Sequence, residues 1–411
     1  MSKGANGRSS IHKDQSGKGW HGWVSMGAHP VTGKPVRKHV RGRSKSEVAE
    51  KVAKLEAQRD GGIVPVGRDT TLIDWLEAWV AARARSVRPN TVSGYRTDLL
   101  HVTRSGVGAV KLRSLAPEHI ERVYARVLAS GCTAGSVAHV KRTARAALNV
   151  AVQRGYLPRN PVPLAQEPRA EEFELEPYAA AEIARILIAA RARRNGVRWS
   201  LALLGLRQGE VLGLQWKYVD LDAGTLRVRR TLTWLPWQHG CADAGEPICG
   251  RKAGYCPKRH GGGAYLGEPK SAAGKRTIAL PAPMVAELRE HRRRQAAGRM
   301  AAGSLWHEQG FVVAGHRGGP VDRSTDTEDW CELVEAAGVR RLRIHDLRHS
   351  AATALLVLGE DSRVLLGVMG WTSMALVQRY THLVPELRRS VADRQAQMWP
   401  KALRGRADHA G

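Results

Sequence analysis

The sequence predicts a multidomain, mainly α protein with small β-sheets, and three observations point to it. The chain has 411 residues, too many for one ordinary core and enough for two or three domains. Apolar residues recur at helical spacing through most of its length, whereas strict alternation is confined to short runs beside Gly and Pro. A hydrophobic fraction of 43% is that of a globular chain and excludes long disorder.

Charge narrows the functional classes. Lys and Arg number 65 against 38 Asp and Glu, a net charge of +27, with a pI near 10.6. So large an excess makes a compact protein repel itself, so a polyanionic partner is the natural explanation. Nucleic acid is expected ahead of an anionic membrane; a merely solvated basic surface is the alternative. No apolar run reaches the roughly 18 residues of a membrane span, and the first residues lack the hydrophobic segment of a secretory signal. Five cysteines, an odd number, argue against a disulfide framework. The expectation is a cytoplasmic, DNA-facing protein.

Residues 1–68 hold 14 Lys and Arg against 5 Asp and Glu, a net of +9. Within them "GWHGWVSMG" and "VRKHVRG" alternate on either side of a Gly/Pro turn and predict a β-hairpin. Lys34, Arg37 and Lys38 sit on it as candidate DNA contacts. A helix follows over "SKSEVAEKVAKLEAQRD", capped by Ser44 or Ser46, with Val48, Val52 and Leu55 on one face. A small basic α+β domain results, either DNA-binding or generic.

Residues 69–165 predict four helices. Leu72, Trp75, Leu76 and Trp79 fall at helical spacing in the first, and "TAGSVAHVKRTARAALNVAVQRGY" forms the fourth. Its polar face carries Lys141, Arg142 and Arg145, suited to solvent or to a DNA backbone. Residues 166–176, rich in Pro and acidic side chains, read as a linker. A second large domain spans 177–400, with "DAGTLRVRRTLTW" and "KRTIALP" as strands around a Gly- and Cys-rich insert, 235–268. Residues 401–411 form a tail.

Six positions in this domain attract attention as chemistry. Arg207 interrupts an apolar helix with Glu210 three residues on; such an Arg meets a carboxylate or an anion. Lys270 precedes a Ser-Ala-Ala-Gly turn and is placed near the tip of a β-hairpin, where a lysine beside DNA can protonate a leaving oxygen. In "RIHDLRHSAAT", His345 and His349 have the spacing of two metal ligands, while His345 and Arg348 have that of two donors to an anion. A zinc hydrolase needs a third ligand, which does not follow; the first turn of a helix with Leu347, Ala351, Leu355 and Leu358 as its buried stripe suits a phosphate. Trp371 follows a Gly, and Tyr380 lies nine residues later. A tyrosine becomes a nucleophile once its proton is removed or cations stabilise the phenolate.

Residues 177–395 resemble the catalytic domain of tyrosine recombinases, the phage integrase family. The resemblance rests on Arg207, Lys270, His345, Arg348, Trp371 and Tyr380 in order, and on the words "GLRQGEVLGLQW", "HDLRHSAAT", "MGWTS" and "RYTHL". Residues 69–165 resemble the family's four-helix, SAM-like core-binding domain, and residues 15–62 its arm-binding domain. The resemblance implies that Tyr380 attacks a DNA phosphate to give a 3′-phosphotyrosyl link, which the 5′-hydroxyl of a partner strand resolves. Arg207, Arg348 and His345 would hold the phosphate oxygens, Trp371 would pack and donate its indole N–H, and Lys270 would act as general acid. Glu210 and His349 would support the site. It further implies no metal or ATP for catalysis and a homotetramer on two attachment sites. An excisionase and host DNA-bending proteins are candidate partners, and residues 384–400 are expected to dock on a neighbouring subunit.

One departure is the insert. Cys241, Cys249, Cys256 and His260, with His239 nearby, offer ligands for a structural Zn²⁺; a flexible loop with free thiols is the alternative. The insert also leaves Lys258 and Lys275 as competitors of Lys270. Against a recombinase stand a DNA-binding regulator without the chemistry, which has no need of all six positions, and a type IB topoisomerase, which does not require the two N-terminal domains.

Overall fold

The computed structural model describes residues 9–14, 17, 19–28, 35–60, 70–168, 176–243 and 246–381. The chain divides into two compact units, Met1–Phe173 and Glu174–Gly411. No helix among the described residues is long and apolar enough to cross a membrane. Lys34, residues 384–400 and the tail lie outside the described residues.

The first unit opens with an antiparallel sheet of β1 (Ser10–Lys13), β2 (Trp20–Ala28) and β3 (Pro35–Gly42), in that order. Helix α1 (Lys45–Asp60) covers one face. Ser44 is its cap, its hydroxyl accepting from Glu47 N at 3.2 Å. Val24, Val48 and Val52 form the small core, with Leu55 packed against it. Gly22 is required here, because a Cβ would lie 2.7–3.0 Å from Val52, Val48 and Val40.

A helical bundle follows: α2 (Leu72–Arg83), α3 (Pro89–Arg104), α4 (Pro117–Ala129) and α5 (Ala134–Gln153). Thr71 and Asp74 form a capping box that starts α2, satisfying two N–H groups that have no partner within the helix. Leu72, Trp75, Leu76 and Trp79 are buried with Leu148 and Val140 in one core. Burial of each such side chain contributes about 1.5–3 kcal/mol. One buried polar group ties α3 to α5: Asp98 takes Thr143 Oγ1 at 2.6 Å and His139 Nδ1 at 2.8 Å.

The second unit is mostly helical: α6 (Ala180–Arg191), α7 (Val197–Leu203), α8 (Gln208–Leu212), α9 (Ala282–Ala302), α10 (Arg323–Ala336), α11 (Ile344–Val357), α12 (Ser362–Met369) and α13 (Met374–Thr381). Its strands are β4 (Val219–Asp220), β5 (Thr225–Val228), β6 (Thr231–Leu235), β7 (Ala242–Asp243), β8 (Glu246–Pro247), β9 (Gly263–Gly267) and β10 (Arg276–Ala279). β10 pairs with β5, and β6 with β9. These two ladders read as one long antiparallel ribbon, interrupted where 229–230 face 268–275.

That topology corrects three expectations. Lys270 is not at a hairpin tip but in the excursion halfway along the ribbon; the tip is the Cys-rich insert. Arg207 does not interrupt a helix; it is the extended N-cap residue of α8. On α11 the buried stripe is Ile344, Leu347, Arg348, Ala351, Ala352 and Leu356. Leu355 is half-buried, and Leu358, the capping residue just past the last helical turn, is exposed.

Candidate active site

Four segments converge on one cluster of positive charge: the turn after α7, the start of β10, α11, and the stretch from α12 to α13. The turn is made by Gly205 at φ +87°, where a Cβ would lie 2.8 Å from Met369 Sδ. Its carbonyl then faces inward and accepts from both Arg348 Nη1 and Arg276 Nη2. Gly370, left-handed at φ +59°, ends α12 and turns its carbonyl to Arg207 Nη2 at 3.3 Å. Only glycine adopts these conformations at little cost, so two glycines set the positions of three arginines.

Glu210 orders this group. Its buried carboxylate accepts from Arg207 N at 3.0 Å and Nη1 at 2.8 Å, and from Arg276 Nη2 at 2.9 Å. Burial alone would raise its pKa; the hydrogen bond and charge of Arg276, followed by Arg207, outweigh that and hold it below the ordinary value. Arg276 was missed as a site residue. It is buried, with Nε donating to Val368 O at 2.6 Å, and the signal for it was parity: it shares the inward face of β10 with Ile278.

Arg348 is 3% exposed and donates to two backbone carbonyls, Gly205 O and Met369 O. Burial, then the neighbouring Arg207 cation, lowers its pKa to about 9, so it remains a cation at neutral pH. Buried charges are otherwise paired. Arg198, 4% exposed, shows the ordinary solution, with Asp326 at 2.7 Å and Asp329 as carboxylate partners. One carboxylate, Glu210, shared between Arg207 and Arg276 leaves the Arg207/Arg348/Arg276 group with excess positive charge. Such a group is suited to an anion.

Tyr380 is buried beside this charge. Trp371 stacks on its ring at 5.3 Å, and Arg348 lies over Trp371 at 5.6 Å. On the other side, His349 Nδ1 is hydrogen-bonded to the Tyr380 hydroxyl, and His345 meets His349 edge-on at 5.0 Å. Burial, then His345, lowers the His349 pKa to about 4. The neutral ring accepts the phenol proton at Nδ1 when its own proton is on Nε2. His345 is exposed at its surface, and its partial removal from water, then the Arg348 cation, lowers its pKa too. The two imidazoles and the phenol adjoin the cation group, and His345 feels the charge of Arg348 and Arg207. The helix carrying Tyr380 is short and anchored by Val377 and Tyr380, too short to be stable without that packing.

Lys270 is exposed on the 268–275 excursion. Its competitor Lys275 is paired with Glu268 at 2.8 Å, and Lys258 lies in the insert at the far end of the ribbon. The excursion is closed tightly by Gly274, whose Cβ would lie 2.7 Å from Pro269.

Of the other candidates, Arg37 lies on the open face of the N-terminal sheet, exposed, on the same face as Trp23 and His39, whose rings meet at a tilt 4.5 Å apart. Lys38 pairs across from Val24 and so falls on the face that α1 covers. On α5, Arg142 and Arg145 are exposed, while Lys141 is ion-paired with Glu167. The insert corrects the expected metal ligands. His239, Cys241, Cys249 and Cys256 bring their ligand atoms within 4.8 Å of one another; His260 is not among them. His260 bridges Gln238 across the ribbon, which puts those two side chains on one face and His239 on the other, with the cysteines.

Comparison with known proteins agrees with this geometry. The phage integrase family model matches residues 267–386. An integrase of Saccharopolyspora erythraea is 39% identical over 421 residues, covering 95% of this chain and 96% of the relative. A XerC-like tyrosine recombinase of Caldanaerobacter subterraneus subsp. tengcongensis is 28% identical over 369 residues, covering 86% and 90%. Among solved structures, the Tn1549 transposon integrase in complex with a circular intermediate DNA superposes with a TM-score of 0.64 at 17% identity, over 79% of this chain and 99% of that one. A lambda integrase tetramer bound to a Holliday junction gives 0.51 at 15%, over 90% and 94%. The chain belongs to the phage integrase family and is a tyrosine recombinase, an enzyme of site-specific DNA recombination.

Proposed function

We propose that Tyr380 is the nucleophile that cleaves and rejoins DNA, and that the arginine group holds the scissile phosphate. The observation that carries this reading is the buried Tyr380 hydroxyl on His349 Nδ1, next to a buried Arg348 whose acceptors among the described residues are backbone carbonyls. Arg207, Arg348 and His345 donate to the non-bridging oxygens and offset the charge that grows on them, as positioned donors do in a dry site. Tyr380 Oη forms a bond to phosphorus as its proton passes to His349, and the bond to the 5′ oxygen breaks. Lys270 gives that oxygen its proton. The 3′-phosphotyrosyl link is then attacked by the 5′-hydroxyl of a partner strand, and the proton transfers reverse. The phosphodiester energy is retained throughout, so this chemistry takes no cofactor. Trp371 packs the tyrosine, and Glu210 and Arg276 position Arg207.

The domains divide the DNA between them in this reading. The helical domain, 69–165, grips the core site with Arg142 and Arg145. The N-terminal sheet presents Arg37, Arg41, Trp23 and His39 to arm-type sites. Four protomers act on two attachment sites, and an excisionase and DNA-bending host proteins set direction. The substrate is a mobile element, phage or integrative plasmid, in a bacterial cytoplasm.

The test is a suicide substrate, a nicked duplex carrying the element's attachment site. A covalent protein–DNA adduct forms, survives EDTA and is lost in Tyr380→Phe. An adduct still formed by Tyr380→Phe would remove the nucleophile assignment, and loss with EDTA would give the chemistry to a metal. Affinity for the same duplex falls steeply with salt, as counterion release requires; a flat response contradicts backbone binding by the basic domains.

A further inference from the structure

The tip of the ribbon is built from residues that the chemistry at Tyr380 does not use. Residues 236–262 have little apolar core of their own. Ile248 and Tyr255 are 70% and 73% exposed, while two of the buried side chains are cysteines, Cys241 and Cys256. Fixing a backbone costs roughly 1–2 kcal/mol per residue, and a segment without a core needs a staple to meet that cost.

We propose that His239, Cys241, Cys249 and Cys256 bind a Zn²⁺ ion that folds the insert into a cap on the β6–β9 ribbon. Cys241 Sγ lies 3.4 Å from Cys256 Sγ and 3.7 Å from His239 Nδ1, and Cys249 Sγ lies 3.5 Å from the same nitrogen. A tetrahedral Zn²⁺ with bonds of about 2.3 Å to sulfur and about 2.0 Å to nitrogen spaces its ligands about 3.5–3.8 Å apart. The three short separations come close to that spacing, and all four ligand atoms lie within 4.8 Å of one another. They are too long for a disulfide, whose sulfurs are about 2.05 Å apart, and a disulfide would give Cys249 and His239 no reason to converge on the same point.

The backbone is shaped to bring the four together. Gly240, between two ligands, is pressed so closely on the turn at 257–258 that a Cβ would lie 2.1 Å from Lys258 O. Gly250, directly after Cys249, is left-handed at φ +60°. The Gln238–His260 bridge and the stacking of Arg259 on Trp237 at 4.6 Å close the base. Four protein ligands with no open position describe a structural site, and thiolates select zinc over magnesium or calcium. Three thiolates around a dication leave one negative charge, which Arg251, Lys252, Lys258 and Arg259 surround in sequence.

The site is separate from the phosphate centre in its effect as well as its place. The inner end of β6 rests on α8 through Gly209 and Gly213, where a Cβ would lie 2.7 Å and 2.6 Å from Leu232 backbone atoms. That anchoring does not depend on the tip, so metal loss unfolds the cap and leaves Arg207 and Glu210 in place.

Zinc content tests this independently of recombination. The full chain, purified without chelator, carries one zinc by elemental analysis, released when the thiols are titrated with a mercurial. Cys249→Ser and His239→Ala lose it, and His260→Ala keeps it. Replacement by Co²⁺ gives the intense visible bands and near-ultraviolet sulfur-to-cobalt transition of a tetrahedral thiolate site, a reading on the unaltered chain that does not depend on any variant folding. Zinc-free protein with all its thiols titratable overturns the proposal. So does a Cys241–Cys256 disulfide, or zinc kept by His239→Ala and lost by His260→Ala.

Discussion

Arg198 and Arg348 are buried to nearly the same degree in the same unit, yet their surroundings differ in the sign of the charge left over. Arg198 is closed by Asp326 and Asp329 and stacks on Trp199 at 4.0 Å. Arg348 is held by the carbonyls of Gly205 and Met369, dipoles that aim the guanidinium without cancelling it. The first is finished as folded. In the mechanism we propose, the second is completed by an anion, the DNA phosphate that the neighbouring tyrosine attacks. A buried arginine is therefore read by its acceptors, not by its burial.

The largest effect that sharpens the contrast is chemical. Arg348→Lys keeps the charge but loses the planar fork, and adduct formation slows by about 10³-fold, the scale of one lost transition-state donor. Arg198→Leu does the reverse. It leaves Asp326 buried without its partner and destabilises by about 3–5 kcal/mol, read by denaturant unfolding, while cleavage by the folded fraction is unchanged. Equal effects of the two substitutions on cleavage and on stability would break the comparison.

Lys270→Ala slows cleavage by about 10²-fold, within the range of general acid catalysis. A substrate with sulfur in place of the bridging 5′ oxygen restores the rate, because a thiolate leaves without a proton. If the sulfur substrate stays slow, Lys270 is not the acid. Glu210→Gln weakens the hold on Arg207 and Arg276, and a misplaced guanidinium costs up to about 10²-fold. Cleavage falls accordingly with little change in DNA affinity.

The smallest effect is acid sensitivity. His349 has its pKa lowered to about 4, so the unfolded chain binds more protons than the folded one between the ordinary histidine value of about 6.5 and about 4. Stability falls as pH drops through that window and levels off below it. His349→Gln flattens this part of the profile, measured by thermal unfolding against pH; an unchanged slope removes His349 as its source.

Much of this was legible in the sequence because it is periodic or ordered. Leu72, Trp75, Leu76 and Trp79 lie at helical spacing and are buried together, and the alternation around residues 20–42 gives paired strands. The residues brought to the site, Arg207, His345, Arg348, Trp371 and Tyr380, could be picked because each stands in a recognisable word. What escaped depends on contacts distant in sequence. Arg276 is 66 residues from Glu210, and only its parity with Ile278 hinted at burial. The excursion that carries Lys270 looked like a hairpin tip because β9 pairs with β6 while β10 pairs with β5, a register no local pattern reveals. The sequence offers both His260 and His239 to the three cysteines; the Gln238–His260 bridge, which decides which histidine faces the thiols, exists only in three dimensions.

The central claim is that the cation group presents a DNA phosphate to Tyr380. Its most direct test is to trap the adduct on nicked attachment-site DNA, digest it with protease and nuclease, and sequence the nucleotide-bearing peptide by mass spectrometry. The account predicts a nucleotide 3′-phosphate on Tyr380, in the peptide that includes "ALVQRYTHL". A nucleotide on any other side chain, or one linked through its 5′ end, would contradict it.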